Sequence, residues 1–278
     1  MNVKYNFGFL KSTKQHNEIC SDNQFICNYL LRKSIQDFSA FLQGPVLDVG
    51  CGSRPYDEYF SALQKYSCDL DPKRGVLDVI CMATPLPFTE NCFASVLCTE
   101  VLEHVPDPHK VIKDFYRILK PKGRILISVP NWWPPHELPY DFFRYPERGF
   151  RFLLESNGFC IMRFFPRGGL YALLGQIIIL MMPQYFPFRW QRSFWNIFFL
   201  KLDSWRKNYA VSLGWKCLAE KLDKEGGGGE FDPPTRANSL GVQAFLYLSS
   251  ATLSLGKEFF QPSKGSKEGM KKFFILQG

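Results

Sequence analysis

The stretch Val46-Leu-Asp-Val-Gly-Cys-Gly-Ser53 decides the fold of this chain. Its apolar residues around Asp48 predict a short buried strand, and Gly50 and Gly52 predict a tight turn directly after that strand. Glycines let the backbone approach a ligand closely, and open α/β sheets bind ligands at the carboxyl ends of their strands. We therefore interpret the turn as a candidate binding loop, and we expect a helix to follow it.

Segments of strand and helix character alternate along the chain on both sides of this loop. An amphipathic helix begins near Phe25 and ends at Gly44-Pro45, and Asp107-Pro108 is typical of a capped helix start. Such alternation predicts an α/β fold with a mostly parallel sheet and helices on both faces. The predicted strands lie at 45–49, 67–70, 78–81, 93–98, 124–129 and 159–165.

Composition and charge set broad limits on the function. The chain has 278 residues, is 46% hydrophobic and 16% aromatic, and contains nine scattered cysteines without a Cys-x-x-Cys pair. These features exclude a disordered chain and argue against a disulfide scaffold or a structural zinc site, so no metal site is expected. We expect a cytoplasmic protein, because residues 1–15 lack the apolar core of a signal peptide. The excess charge of +8 lies wholly in residues 139–278, but it comes without a nucleic-acid-binding motif, so a nucleic-acid partner is not expected.

Two carboxylates beside the loop indicate the kind of ligand. Asp69 ends the second predicted strand, where a carboxylate can accept both hydroxyls of a ribose, and Asp48 can meet a cationic amino group. A dinucleotide fingerprint requires a third glycine where this chain has Pro55. Ribose recognition, a cationic ligand and the lack of a pyrophosphate site together favour S-adenosylmethionine over a nicotinamide dinucleotide.

Five motifs follow one another between about residues 44 and 165. They are Val46–Gly52, Cys68-Asp-Leu70, Leu86-Pro-Phe88, Glu100-Val-Leu-Glu-His-Val105 and Arg117-Ile-Leu-Lys-Pro-Lys-Gly123. Their order and spacing resemble the class I S-adenosylmethionine-dependent methyltransferases, in particular the type 11 group. The resemblance implies S-adenosyl-L-methionine as cofactor and a Rossmann-like, seven-stranded sheet whose last strand is antiparallel. We assign Leu240–Leu248 to that last strand.

The resemblance also implies cofactor contacts for particular residues of this sequence. Asp69 would bind the ribose, the backbone of Ala83 would face the adenine, and Thr99 would border the transferred methyl group. Met82 departs from the family, which usually has an aspartate there for the adenine amino group. Ala94 is a second position where the family usually has an aspartate, and this departure concerns local packing. The complete implied set is Asp48, Gly50, Cys51, Gly52, Asp69, Leu70, Met82, Ala83 and Thr99.

The segment Pro130–Tyr145 combines aromatic rings with ionisable groups, as a binding pocket requires. Methyl transfer to a hydroxyl benefits from a general base, for which His136 is the first candidate and His104 and Glu137 are the alternatives. A structural alternative is that His136 and Arg144 only satisfy backbone carbonyls in a proline-constrained loop. The candidate substrate contacts are Trp133, Tyr140, Asp141 and Arg144.

The same segment is similar to a signature of type 11 methyltransferases that is often associated with surface-polysaccharide pathways. This resemblance implies methyl transfer to a hydroxyl of a sugar, a lipid-linked sugar or a related small metabolite. The alternative is a catalytically silent methyltransferase-like module that serves as a binding or scaffold partner. The departures at Met82 and Ala94 favour that second hypothesis.

A long segment after residue 167 differs in character from the rest of the chain. Leu170–Met182 is almost entirely apolar, and cationic side chains flank it on both sides. This pattern is typical of an interfacial membrane element, but a lid over the site or a homodimer contact fits it as well. The predicted divisions of the chain are a helical lead-in (1–43), a cofactor-binding core (44–166), an apolar and basic helical insertion (167–235), the last strand (236–250) and a basic tail (251–278).

Overall fold

A computed structural model describes residues 22–182, 189–206 and 208–223 of the chain. Seven strands form one mixed sheet in the order β3-β2-β1-β4-β5-β7-β6, so the predicted α/β, Rossmann-like fold is confirmed. The strands are β1 (Val46–Val49), β2 (Lys65–Asp69), β3 (Val79–Ile80), β4 (Phe93–Thr99), β5 (Leu119–Pro130), β6 (Phe159–Arg167) and β7 (Gly214–Lys221). The helices are α1 (Phe25–Ser39), α2 (Pro108–Ile118), α3 (Glu147–Glu155), α4 (Leu170–Met181) and α5 (Arg189–Trp205).

The antiparallel strand of the sheet is β7, which lies between β5 and β6 and pairs antiparallel with both. This position corrects the sequence analysis, which placed Gly214–Lys221 in the helical insertion and gave the strand to Leu240–Leu248. The latter segment lies outside the described residues. Strand β7 alternates between the two faces of the sheet, with Cys217 in the core of one face and Leu218 in the core of the other. Two lysines and a glutamate within its eight residues hide this alternation in the sequence.

Helices cover both faces of the sheet, as the alternation of elements predicts. Helix α1 packs on one face, where Ile35 and Phe38 bury against Leu97 of β4. Helices α2 and α3 pack on the other face, where Phe115 and Phe150 are fully buried. Each such side chain contributes about 1.5–3 kcal/mol when it is withdrawn from water.

Helix α2 links two of the motifs found in the sequence. Its N-cap is Asp107, whose side chain accepts a hydrogen bond from the backbone N–H of Lys110 at 3.2 Å, as predicted. Near its other end, Arg117 donates hydrogen bonds to the carbonyl oxygens of Leu86 and Phe88. The Leu86-Pro-Phe88 segment is therefore held against α2, which gives the two motifs a shared structural role.

The helix expected after the glycine loop is absent from the described chain between β1 and β2. This connection contains only the short 3₁₀ turn Asp57–Phe60. Arg54 has a left-handed backbone with φ of 57°, and its side chain forms an ion pair with Asp57 at 2.9 Å. Pro55 then supplies no N–H, so the chain turns here instead of continuing as an α-helix.

Helices α4 and α5 form the insertion between β6 and β7. Gly175 of α4 lets the helices approach closely, because a Cβ there would lie 2.5 Å from the ring of Phe199. Asp203 of α5 accepts hydrogen bonds from the backbone N–H groups of Gly169 and Ala172 at 3.1 Å and so caps the start of α4. Within the ranges that the structure describes, no helix combines the length and the apolar character that crossing a membrane requires.

Candidate active site

The glycine loop follows β1 at the carboxyl edge of the sheet. Gly50 has φ of 68°, and a Cβ at this position would lie 2.3 Å from Cγ2 of Val101. Gly52 has φ of 52°, but a Cβ there would meet no atom within 4 Å. The packing inside the protein therefore requires the first glycine, while the second has open space where a side chain would start.

Asp69, at the end of β2, organises this loop through both of its carboxylate oxygens. Oδ2 accepts a hydrogen bond from the backbone N–H of Gly52 at 2.9 Å, and Oδ1 accepts one from Asp71 at 3.0 Å. Each oxygen retains a second lone pair, so the predicted contact with ribose hydroxyls stays compatible with this arrangement.

Asp48 is the least satisfied carboxylate of the loop. The residue is 8% exposed, and among the described residues its Oδ1 has no hydrogen-bond partner. Burial raises the pKa of Asp48 to about 7; nearby Asp57 adds to the effect and Arg54 opposes it. A buried carboxylate oxygen without a partner is costly, and a cationic ligand group would relieve that cost. The position therefore suits a ligand with an amino group beside the loop.

The other predicted cofactor residues lie along the same edge of the sheet. Thr99 ends β4 half-buried, and Met82 and Ala83 follow β3, with Met82 exposed and Ala83 packed against the core. Leu70 is exposed directly after β2. Cys51 is buried within the loop, and burial raises the pKa of its thiol to about 12, so its sulfur is not an activated nucleophile.

The two candidate histidines meet although 32 positions separate them in the sequence. The rings of His104 and His136 have centroids 4.7 Å apart and pack edge to face. His104 donates its Nδ1 proton to the carbonyl oxygen of Tyr140 at 2.7 Å, and Nδ1 of His136 faces the carbonyl oxygen of Pro134 at 3.3 Å. In the neutral state both rings therefore carry the lone pair on Nε2, which makes each Nε2 a proton acceptor.

Two glutamates complete this cluster. Glu137, the third candidate base, is half exposed, and its Oε2 lies 3.9 Å from Nε2 of His104. Glu103 is fully buried, its Oε1 lies 4.0 Å from the same nitrogen, and burial raises its pKa well above the usual range, with Glu100 adding to the effect. The sequence analysis did not include Glu103 in the site. The sequence does contain a signal for Glu103 as a site residue, because Glu103 adjoins His104 in the motif at 100–105.

A loop that docks on the turn Leu102–His104 brings the cluster together. The backbone N–H of Phe142 donates to the carbonyl of Glu103 at 2.8 Å, and the hydroxyl of Tyr145 donates to the carbonyl of Leu102 at 2.8 Å. Strand β5 ends at Pro130, directly before this loop. The sheet therefore places the end of β4 and the loop after β5 side by side, and the loop contacts fix the distance between the histidines.

Arg144 and Asp141 hold the loop in shape. Nη1 and Nη2 of Arg144 donate to Oδ1 and Oδ2 of Asp141 at 2.6 and 2.9 Å, and its other donors reach the carbonyls of Trp133, Pro134 and Phe143. All five N–H donors of Arg144 are engaged, which leaves none for an acidic substrate. These contacts agree with the structural alternative for Arg144, and its contact with a substrate stays a prediction.

Asp141, which the sequence predicts as a substrate contact, contacts His136. Its Oδ2 accepts the backbone N–H of His136 at 3.0 Å and lies 3.6 Å from Nδ1 of the same residue. The hydrogen bonds from Arg144 hold the pKa of Asp141 well below its usual range. A permanently charged Asp141 therefore orients His136. The remaining predicted substrate contacts are aromatic: Trp133 is half-buried and Tyr140 is 64% exposed.

The ion pair between Glu100 and the buried Arg167 connects strands at the edge of the sheet where the candidate site lies. Arg167, 2% exposed at the end of β6, places Nη2 2.7 Å from Oε2 of Glu100. Ser128 of β5 donates its hydroxyl proton to the other oxygen of Glu100 at 2.9 Å. These contacts join the carboxyl ends of β4, β5 and β6. The sequence analysis missed them because the three residues are far apart along the chain.

The donor atoms at this edge could also hold a metal ion. One atom from each of Glu103, His104 and His136 lies within 4.8 Å of the others, and no other such group occurs among the described residues. One carboxylate and two imidazoles are ligands that suit divalent transition metals. The absence of a metal site, as expected from the sequence, stays a prediction.

The sheet order, the antiparallel β7 and the ligand loop after β1 define a class I methyltransferase fold. A protein-family model described as a methyltransferase domain matches residues 23–176, more than half of the sequence. The chain therefore belongs to this methyltransferase family, whose cofactor is S-adenosylmethionine. The partnerless oxygen of Asp48 and the open space at Gly52 fit a cofactor that carries an amino group.

Curated relatives match over the core of the fold. The chain is 33% identical over 105 residues to a ubiquinone biosynthesis O-methyltransferase from Xanthomonas oryzae, with 32% of this chain and 44% of the relative covered. A ubiquinone biosynthesis O-methyltransferase from Proteus mirabilis is 32% identical over 102 residues, with 31% and 42% covered. The chain thus spans less than half of the length of these relatives.

A solved structure supports the same fold assignment. The geranyl diphosphate C-methyltransferase from Streptomyces coelicolor superposes with a TM-score of 0.51 at 12% identity, over 76% of this chain and 84% of that chain. At this identity the similarity concerns the fold alone.

Proposed function

We propose that this protein transfers a methyl group from S-adenosylmethionine to a hydroxyl oxygen of a sugar, a lipid-linked sugar or a related small metabolite. The observation that carries the proposal is the pair of imidazoles, His104 and His136, whose Nδ1 atoms face backbone carbonyls. Methyl transfer to a hydroxyl oxygen benefits from such a proton acceptor. The curated relatives, which are named O-methyltransferases, support the choice of oxygen.

The cofactor residues bind and orient the methyl donor. Charged Asp48 would hold its amino group, Asp69 its ribose, and the glycine loop would lie along its methionine end. S-adenosylmethionine supplies an electrophilic methyl group on a positively charged sulfur. Val101 packs directly on Gly50, so the turn that carries His104 lies against the cofactor loop. This contact supports the proposal that His104 lies near the methyl group of the bound donor.

The histidine pair would remove the proton of the acceptor hydroxyl. Nε2 of His136 would take the hydroxyl proton as the acceptor oxygen receives the methyl group that bound S-adenosylmethionine would supply. Charged Asp141 stabilises the imidazolium that results, because its Oδ2 lies 3.6 Å from Nδ1. His104 and Glu137 are the alternative acceptors. The aromatic residues Trp133 and Tyr140 would form the walls that exclude water and orient a sugar ring.

The test is a methyl-transfer assay on the full chain that measures S-adenosylhomocysteine release. The acceptors would be methyl glycosides, nucleotide sugars, polyprenyl-linked sugars and simple phenols. We expect turnover with one hydroxyl class, and a fall of about 10²-fold or more in His136→Gln or His104→Gln. His109→Gln is the matched control, because His109 is exposed on α2 and faces Asn157 instead of the site.

Two outcomes would contradict the proposal. Turnover that is unchanged in both histidine variants would exclude the assigned base. Cofactor binding without methyl transfer to any acceptor would favour the second hypothesis, a catalytically silent binding or scaffold module, for which Met82 in place of the usual aspartate is the motivating feature.

A further inference from the structure

Helix α5 exposes a row of aromatic side chains. Trp190, Phe194, Phe198 and Trp205 are 65%, 55%, 42% and 74% exposed. At about 100° per residue, these four positions fall within one quarter of the helix circumference. We call them the α5 outer face, and the rings of Phe194 and Phe198 stack along it with centroids 6.2 Å apart.

The opposite side of α5 is buried and includes two polar residues of the helix. Asn196 and Asp203 are 0% and 2% exposed and lie beside Phe199 and Leu200. Asp203 caps α4, and Asn196 donates a hydrogen bond to the carbonyl of Asp22 at 3.0 Å. These hydrogen bonds fix the orientation of α5 about its own axis, and the aromatic row therefore points outward. A surface helix normally shows the opposite arrangement, with its apolar residues facing the core and its polar residues facing water.

The charges near this face are positive. Lys201 is exposed and lies on the same side as the aromatic row, and the guanidinium of Arg206 lies 4.7 Å above the ring of Trp205. Asp203, the one acidic residue of α5, is buried. Tryptophan and phenylalanine beside exposed cations form the composition that proteins use at the boundary between lipid headgroups and acyl chains.

We propose that the α5 outer face docks on an anionic lipid surface. The aromatic rings insert between the headgroups, while Lys201 and Arg206 contact lipid phosphates. Charge selects this occupant over a second copy of the chain, because a two-fold contact through the same face would bring like charges together. The inference concerns binding alone and holds whether or not the proposed methyl transfer occurs.

The test is flotation of the full chain with lipid vesicles, without methyl donor or acceptor. One set of vesicles contains phosphatidylcholine only, and the other contains equimolar phosphatidylcholine and phosphatidylglycerol. We expect binding to the anionic vesicles that weakens with salt, and little binding to the neutral ones. The triple variant Phe194→Ser, Phe198→Ser, Trp205→Ser should lose at least tenfold in affinity. Phe152→Ser, which removes a ring that is 61% exposed on α3, should bind like the parent.

A charge-reversal variant tests the electrostatic contribution to vesicle binding separately from the aromatic contribution. Lys201→Glu should weaken binding to anionic vesicles by about fivefold or more, whereas Lys113→Glu, on exposed α2 surface, should leave the affinity nearly unchanged. The single variant Trp205→Ser serves if the triple variant does not fold. Equal binding of parent and aromatic variants would overturn the proposal, and so would an absence of binding to both vesicle types. A parent dimer that the aromatic variants convert to monomer would assign the face to self-association instead.

Discussion

Val101 lies so close to Gly50 that a single added carbon on the glycine would sit 2.3 Å from its Cγ2 atom. This contact joins the glycine loop to the turn Leu102–His104, which carries His104, one of the three candidate bases. We therefore expect that a change in the loop shifts the turn as well, and with it the candidate base His104.

Gly50→Ala should destabilise the protein more than Gly52→Ala. Both glycines have positive φ, so alanine pays about 1–2 kcal/mol at either position, but only position 50 adds a clash, worth about 1–3 kcal/mol. Thermal unfolding should show an additional drop of several degrees for Gly50→Ala. The double variant Gly50→Ala, Val101→Ala should recover part of that loss. Equal melting temperatures for the two single variants would contradict the packing argument.

Asp48→Asn should stabilise the ligand-free protein in a pH-dependent way. Burial raises the pKa of Asp48 from 3.8 to about 7, so the folded state holds a proton that the unfolded state loses. Stability that the carboxyl group contributes below about pH 4 is therefore lost as the pH rises through about 7. The variant should melt several degrees above the parent at pH 8 and close to it at pH 4. As a control, Asp37→Asn alters an exposed residue of α1. Parallel pH profiles for parent and Asp48→Asn would contradict this account.

Binding of S-adenosylhomocysteine should weaken as the pH falls below about 7. Only the charged form of Asp48 pairs with the amino group of the ligand, and below its pKa of about 7 each pH unit lowers the charged fraction up to tenfold. Calorimetry in two buffers of different ionisation enthalpy should detect proton release on binding near pH 6. In Asp48→Asn the affinity should be low and the proton release absent. A pH-independent affinity in the parent would exclude Asp48 as the partner of the amino group.

Arg144→Lys should reduce turnover and leave cofactor affinity unchanged. Lysine keeps the charge but loses the paired hydrogen bonds to Asp141, which orients His136 through its Oδ2. We expect a fall in kcat of about tenfold or more, a change in the imidazole NMR signal of His136, and an S-adenosylhomocysteine Kd equal to that of the parent. Arg151→Lys, in the surface ion pair with Glu147, is the control. An unchanged imidazole signal would show that Arg144 does not position His136.

The sequence predicts most of the sheet, because its signals there are local. Strand β1 is a short apolar run around Asp48, and the start of α2 can be recognised from the N-cap Asp107 followed by Pro108. Strand β7 could not be recognised in the same way. Its position depends on pairing with β5 and β6, which are distant in the chain, and its charged residues resemble those of the preceding insertion.

The residues of the candidate site also differ in whether local sequence signals or long-range contacts determine their roles. The residue types beside the loop, such as Asp48 and Asp69, can be selected from the sequence, but their states depend on burial and on long-range partners. The saturation of Arg144 by five acceptors and the encounter of Glu103 with His136 arise from the docking of one loop on one turn. No periodicity or spacing encodes such contacts, so the sequence does not show that the loop engages every donor of Arg144.

The most direct test of the central claim, that the loop after β1 is an S-adenosylmethionine site, is a calorimetric titration of the full chain with S-adenosylhomocysteine. Asp69→Ala would be titrated in parallel, because Asp69 both closes the loop on Gly52 and is the expected ribose contact. The account predicts binding at micromolar ligand that collapses in the variant. No heat and no thermal shift at millimolar ligand, for a chain that is folded and melts cooperatively, would contradict it.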